Sequence, residues 1–184
     1  MQKLYFLRHG ESADNVARVW SHAHAALTEN GRAQAMMAGQ AAKAKGLTFD
    51  VILASPLPRA HETAKIFAEQ LRHEKAIEPF EMLVERDWGA LTGKSGASLF
   101  GHPYVRRDLE YVPHIETNDA VHDRAARTLA YLRSRPEDTI LIVSHGSFGR
   151  ALQRIVEGRP AEEEFDEALR KAGSFSNAQL VQFI

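Results

Sequence analysis

Three short apolar runs limit the folds open to this chain: Leu4-Tyr5-Phe6-Leu7, Asp50-Val51-Ile52-Leu53-Ala54 and Thr139-Ile140-Leu141-Ile142-Val143. Each is too short for a helix, and none alternates with polar residues. Continuous runs of this kind read as strands buried on both faces. Helix-like segments lie between them. Thr28 is placed to cap a helix rich in Ala, Gln and Met, with Gly46 as its stop. Ser55 is expected to cap a second helix, with Pro56 and Pro58 in its first turn, running to about His73. Thr117 or Asn118 opens a third helix through about Arg133, and another starts near Ser147, whose hydroxyl is read as an N-cap. Pro160 to Lys171 reads as helix stopped by Gly173. Ile77 to Val84 is a weaker strand, and Gln179 to Phe183 a final strand at a sheet edge. The segment from Trp88 to Pro113, rich in Gly, Pro and aromatics, reads as irregular structure or a short lid. Strands joined by helical crossovers predict an α/β fold in three layers: a mostly parallel sheet flanked by helices.

The chain has 184 residues, which suits a single domain over 1–184. A net charge of -1 argues against nucleic acid and anionic membranes as partners. The absence of cysteine excludes disulfides, thiolate catalysis and Cys-ligated zinc. The N-terminal apolar run is too short for a signal peptide or membrane span, so the expected location is cytoplasmic. The oligomeric state is left open, a homodimer through the edge strand included.

Each strong strand ends in residues suited to phosphate. The first delivers Arg8 and His9, the second Ser55 and then Arg59, the third Ser144 and His145. A single Arg-His pair at a strand end would read as two solvated polar residues. In a parallel sheet, however, the three ends share one edge, where open α/β proteins bind ligands. Helix N-termini at that edge add free N–H groups and partial positive charge. Arginine forks suit phosphoryl oxygens, and a neutral imidazole flanked by cations can attack phosphorus. A leaving alkoxide needs a proton. Glu85, in Val84-Glu85-Arg86-Asp87-Trp88-Gly89, follows a strand-like segment at the same edge. The alternative for Glu85 is a surface carboxylate paired with Arg86, and Asp87 and Glu11 are the less favoured donors.

His145-Gly146-Ser147-Phe148-Gly149 resembles a nucleophile elbow, yet all nine histidines precede Ser147, so no downstream base exists. His22 and His24, facing one way on a strand, would bind zinc with His61, but no carboxylate cluster accompanies them. A solvated loop is the preferred reading, with a place on the rim of the phosphate site as the alternative. A degenerate, non-enzymatic phospho-ligand binder would be expected to lose His9, an arginine or His145, and none is lost.

The sequence resembles the histidine phosphatase superfamily, also called the phosphoglycerate mutase-like family. The matching motifs are Leu7-Arg8-His9-Gly10-Glu11-Ser12 with Asn15, Leu27 to Ala35, Ala54-Ser55-Pro56-Leu57-Pro58-Arg59-Ala60, Glu85 with Gly89 to Gly93, and Val143-Ser144-His145-Gly146. The resemblance implies a phosphoglycerate mutase-like fold and His9 as the phosphorylated nucleophile. It implies Arg8, Arg59, His145 and Gly146 as the phosphate pocket, Ser12 and Asn15 as auxiliary contacts, and Glu85 as proton donor. It implies no metal and no cofactor, with a small phosphorylated molecule as substrate. Where many relatives read Asp-x-Pro-Leu-Thr, this chain has His24-Ala25-Ala26-Leu27-Thr28. The stretch from Glu85 to His145 is shorter than in cofactor-dependent mutases. Lys94 and Arg106-Arg107 match only loosely the basic residues with which those enzymes grip their sugar acid. A phosphatase is therefore expected, with a mutase-type phosphotransferase as the alternative.

Overall fold

The structure is a computed structural model that describes residues 2–95, 112–161 and 175–184. The expected strands form: β1 (Lys3–Arg8), β2 (Val51–Ala54) and β4 (Thr139–Ser144), joined by β3 (Glu78–Pro79) and β5 (Leu180–Gln182). They make one sheet in the order β3-β2-β4-β1-β5. The first four strands are parallel, and β5 pairs antiparallel with β1 at the edge. The helices are α1 (Ala13–Ala17), α2 (Glu29–Ala44), α3 (Pro58–Leu71), α4 (Asn118–Arg133) and α5 (Gly146–Val156).

Strand alternation sorts the side chains into two cores. Leu4 and Phe6 of β1, Val51 and Leu53 of β2, and Ile140 and Ile142 of β4 face one side, where Val121, Ala125, Leu129 and Leu132 of α4 and Phe148 and Leu152 of α5 cover them. Tyr5, Leu7, Ile52, Ala54, Leu141 and Val143 face the other side, under Ala42 of α2 and Ala64, Phe67 and Ala68 of α3. This is the three-layer α/β arrangement. It follows from strands that are apolar at every position, because each face needs its own helical cover. Fully burying a side chain such as Phe6 stabilises the fold by about 1.5–3 kcal/mol relative to exposure.

Local signals placed most helix boundaries. Thr28 Oγ1 accepts from Gly31 N at 3.0 Å and caps α2, while Thr117 Oγ1 accepts from Ala120 N at 3.1 Å and caps α4. Three expectations need correction. Ser55 does not cap α3: that helix begins at Pro58, after Leu57, with no side-chain cap. Ser147 is not an N-cap either, because His145 holds that position and Ser147 lies inside α5. The segment from Ile77 to Val84 keeps strand pairing only at Glu78–Pro79 and then turns through a 3-10 helix, Glu81–Leu83. Pro79 has no N–H to extend a ladder. The expected helix over Pro160 to Lys171 falls mostly at 162–174, and the irregular stretch from Trp88 to Pro113 mostly at 96–111; both ranges lie outside the described residues.

Close backbone approach fixes α5 against β1. A Cβ at Gly149 would lie 2.3 Å from Cζ of Phe6, whose ring is wedged between Phe175 and Phe183 with centroids 4.7 and 5.2 Å away. Gly149→Ala should therefore lower stability by about 1–3 kcal/mol, the usual range for overpacking. Urea denaturation checks this: the midpoint should fall with an unchanged slope, and an unchanged midpoint would show that α5 is not seated as described.

Candidate active site

Strand register brings the site together. Arg8 pairs with Ser144 across β1 and β4, and His9 N donates to Ser144 O at 2.9 Å. The next residue after each strand is a histidine, and the His9 and His145 rings stand 5.1 Å apart. β2 lies on the other side of β4, so its C-terminal end supplies Ser55, and α3 behind it supplies Arg59. His9, Arg59 and His145 are 2%, 1% and 0% exposed.

The hydrogen bonds assign the ring nitrogens. His9 Nδ1 lies 2.6 Å from Gly10 O, an acceptor only, so Nδ1 carries the proton and Nε2 the lone pair. Arg59 Nε sits 3.3 Å from that Nε2, and Arg59 Nη1 donates to His22 O at 2.9 Å. Burial pushes the His9 imidazolium well below the usual histidine range, and the charges of Arg59 and Arg8 push it the same way. His145 is lowered likewise, first by burial and then by Arg59, His9 and Arg8. Its Nε2 lies 2.8 Å from Ser55 Oγ, which also accepts from Leu57 N at 3.3 Å. Its buried Nδ1 has no hydrogen-bond partner among the described residues. Burial also lowers Arg8 and Arg59, an effect opposed by the negative charge of Glu85.

A cavity of about 320 Å³ opens beside this cluster, lined among others by Arg8, Asn15, Trp20, Glu85, Gly146 and Arg150. Gly146 leaves the first turn of α5 open to it, and a Cβ there would touch Arg8 Nε at 3.6 Å. Glu85 is docked on the N-terminus of α5: its carboxylate accepts from Ser147 N and Phe148 N at 3.2 Å. It is thus no surface partner of the Arg86 guanidinium, which donates instead to Glu116 O and Asn118 Oδ1. Its loop is held from both sides. Ser144 Oγ donates to Leu83 O at 2.6 Å, and Arg124 Nη1 donates to the carbonyls of Met82 and Val84 at 2.8 Å. Arg124 was missed in the sequence because an arginine within a helix carries no local sign of its tertiary role.

The remaining expected residues fall as follows. Asn15 lines the cavity. Ser12 is buried, caps α1 through Asn15 N at 3.4 Å, and is not on the cavity wall. His22 and His24 lie in a loop with rings 5.5 Å apart, and His22 Nδ1 bonds Asp14 Oδ2 at 3.1 Å. Among the described residues no three His, Asp or Glu side chains are grouped to hold a metal ion. Among the same residues no helix is long and apolar enough to cross a membrane.

Two buried neutral histidines make stability pH-dependent. The unfolded chain binds protons at these side chains near pH 6.5, whereas the folded one binds them only at lower pH. Their contribution is therefore complete above about pH 6.5 and is lost as pH falls below it, at up to ~2.7 kcal/mol per pH unit for two protons. His61 and His73, also lowered chiefly by burial, act in the same direction. Urea midpoints should fall from pH 7.5 to 5.5, and less steeply in His9→Asn. A midpoint that is flat or rises on acidification would contradict burial of neutral imidazoles.

The sequence matches the histidine phosphatase superfamily (branch 1) over residues 4–179. A 2,3-bisphosphoglycerate-dependent phosphoglycerate mutase of Bartonella quintana (strain Toulouse) is 33% identical, across 90% of this chain and 86% of its own length. One of Parvibaculum lavamentivorans is 35% identical, across 81% of this chain and 77% of its own length. Among solved structures, a mycobacterial glucosyl-3-phosphoglycerate phosphatase complexed with VO3 aligns with a TM-score of 0.80 at 26% identity, covering 99% of this chain and 92% of that one. A putative α-ribazole-5′-P phosphatase of Escherichia coli shares the fold, with a TM-score of 0.80 at 22% identity and coverage of 99% and 90%. The match from Leu4 to Gln179 leaves little of the chain outside it, and the chain is an enzyme belonging to the histidine phosphatase superfamily.

Proposed function

We propose that this enzyme is a metal-independent phosphatase that hydrolyses phosphomonoesters through a phosphohistidine at His9. The observation that carries the reading is the bond from His9 Nδ1 to Gly10 O. It leaves Nε2 as the nucleophilic nitrogen of a neutral ring between two guanidinium groups. An incoming phosphoryl dianion takes up Arg8 and Arg59, and the Arg59 guanidinium leaves the Nε2 lone pair for the phosphoryl oxygens. His145 donates to another oxygen. As the Nε2–P bond forms, the bond from phosphorus to the ester oxygen breaks, and Glu85, carrying a proton taken up with the phosphate ester as it binds, gives that proton to the leaving alkoxide. The same carboxylate then takes a proton from water as water attacks phosphorus, which releases phosphate and restores His9. Charge on the transferring group is met throughout by groups already in place, the main source of rate in such reactions.

Hydrolysis is preferred to mutase transfer because the stretch from Glu85 to His145 is short and matches the mutases' basic residues only loosely. A mutase must hold its displaced intermediate, which calls for basic residues gripping the second end of the substrate. Lys94 is exposed and does not line the cavity, whereas Arg86, Arg150 and Arg154 do; Arg106 and Arg107 lie outside the described residues. The phosphatase name of the solved structure at 26% identity supports this choice. The second reading, a phosphotransferase of mutase type, is favoured by the names of the relatives at 33% and 35% identity. The setting proposed is the cytoplasm, with a small phosphorylated molecule as the partner and no nucleic acid or membrane.

Turnover of p-nitrophenyl phosphate should survive excess EDTA and disappear in folded His9→Ala; loss of turnover on chelation, or activity kept by the variant, would remove the mechanism. Isomerisation of 3-phosphoglycerate that depends on added 2,3-bisphosphoglycerate and outpaces hydrolysis would establish the mutase instead. Glu85→Gln should slow an alkyl phosphate at least tenfold more than p-nitrophenyl phosphate, because nitrophenolate leaves without a proton. Equal slowing of the two esters would take Glu85 out of the donor role.

A further inference from the structure

The C-terminal segment from Phe175 to Gln179 contains no motif that points to phosphate chemistry, yet it is bonded to the phosphate-facing side of β1. Phe175 O accepts from Arg8 Nη1 at 2.5 Å, and Ala178 N donates to His9 O at 3.2 Å. Asn177 makes two bonds with one nitrogen. Its Nδ2 donates to His9 O at 3.2 Å and to Asn15 Oδ1 at 3.1 Å.

The orientation of both amides follows from what they touch. Asn15 Oδ1 also accepts from Ser12 N at 3.1 Å, a backbone donor, so this atom must be the oxygen. The Asn177 atom that meets both this oxygen and the His9 carbonyl faces two acceptors, so it must be the nitrogen. The Asn15 oxygen is thereby engaged twice, and the Asn15 nitrogen is left without a protein partner among the described residues. Asn15 is on the cavity wall beside Arg8. An amide locked this way offers N–H, and not a carbonyl, to whatever enters.

We propose that Asn177 is a positioning residue for phosphate binding: it locks the Asn15 side chain so that its Nδ2 donates to the phosphoryl oxygens. This rests on the reading of the cavity as a phosphoryl site. Without Asn177 the Asn15 amide keeps only its bond to Ser12 N, and its nitrogen loses a fixed direction. The carbonyl of His9 keeps Ala178 N as a donor, so the nucleophile's backbone stays anchored.

Inorganic phosphate is the probe, followed by quenching of Trp20 and Trp88 fluorescence, which needs no turnover. Asn177→Ala should weaken phosphate binding about five- to tenfold, the scale of one hydrogen bond to an anion. In an Asn15→Ala background the same substitution should cost less than twofold, because the group through which it acts is gone. Equal weakening in both backgrounds would overturn the proposal and leave Asn177 a general structural residue. No weakening in the wild-type background would overturn it as well. A second measurement uses the unmodified protein and so survives a folding defect in the variant. Phosphate titration should shift the side-chain NH₂ resonances of Asn15 and leave those of Asn177 nearly still, and a shift of Asn177 alone would overturn the assignment. If the wild-type protein binds no phosphate at all, the phosphoryl reading of the cavity falls and takes the proposal with it.

Discussion

The pairing of β1 with β4 is the interaction on which everything else depends. Its register sets Arg8 opposite Ser144, so the two following histidines emerge side by side. That register is enforced by the cores and not by the site. A slip of one residue would exchange Leu4 and Phe6 with Tyr5 and Leu7 between the two faces, taking the Phe6 ring away from Gly149, Phe175 and Phe183 and setting the wrong shapes against both helical covers. Apolar burial thus fixes the distance between two polar side chains that have no attraction for one another. Gly149 extends the same logic, because its missing side chain lets α5 lie directly on Phe6 and present its N-terminus to Glu85.

The cluster so assembled is electrostatically unfavourable on its own. Two guanidinium groups and two imidazoles share a buried volume, and burial disfavours the charged form of each. The arginines are held there by carbonyl oxygens, Phe175 O for Arg8 and His22 O for Arg59, and by the opposing charge of Glu85. A phosphoryl dianion would relieve that accumulation of positive charge. The imidazoles stay neutral for the same reason, which keeps the His9 lone pair available at physiological pH. The arrangement trades folded-state stability for a pocket that needs no rearrangement of charge when the anion arrives.

Much of this was legible in the sequence, and the rest has physical reasons for being hidden. The runs at Leu4, Val51 and Ile140 announced buried parallel strands because continuous apolarity has few other uses in a run so short. Thr28 and Thr117 were readable as caps because capping is local. Ser55 and Ser147 followed the same rule and misled: the Ser55 hydroxyl faces His145 from the neighbouring strand, and Glu85 occupies the N-terminus of α5 in place of a serine cap. Glu85 was found by its place after a strand-like segment, although little of that strand forms. Arg124 and Asn177 were invisible, since each acts by reaching residues far away in sequence, and neither spacing nor composition records such contacts. The finer choice between hydrolysis and transfer is not carried by local motifs, because Lys94 and Arg106-Arg107 match the mutase pattern only loosely.

The central claim is that His9 is the group that becomes phosphorylated. Rapid acid-free quenching during turnover of a ³²P-labelled phosphomonoester, followed by peptide mapping, tests it most directly. The account predicts a protein-bound label that is stable to alkali, lost in acid, and confined to the peptide containing Arg8-His9-Gly10. A label on another residue, or full-rate turnover with no protein-bound phosphate at any time, would contradict it.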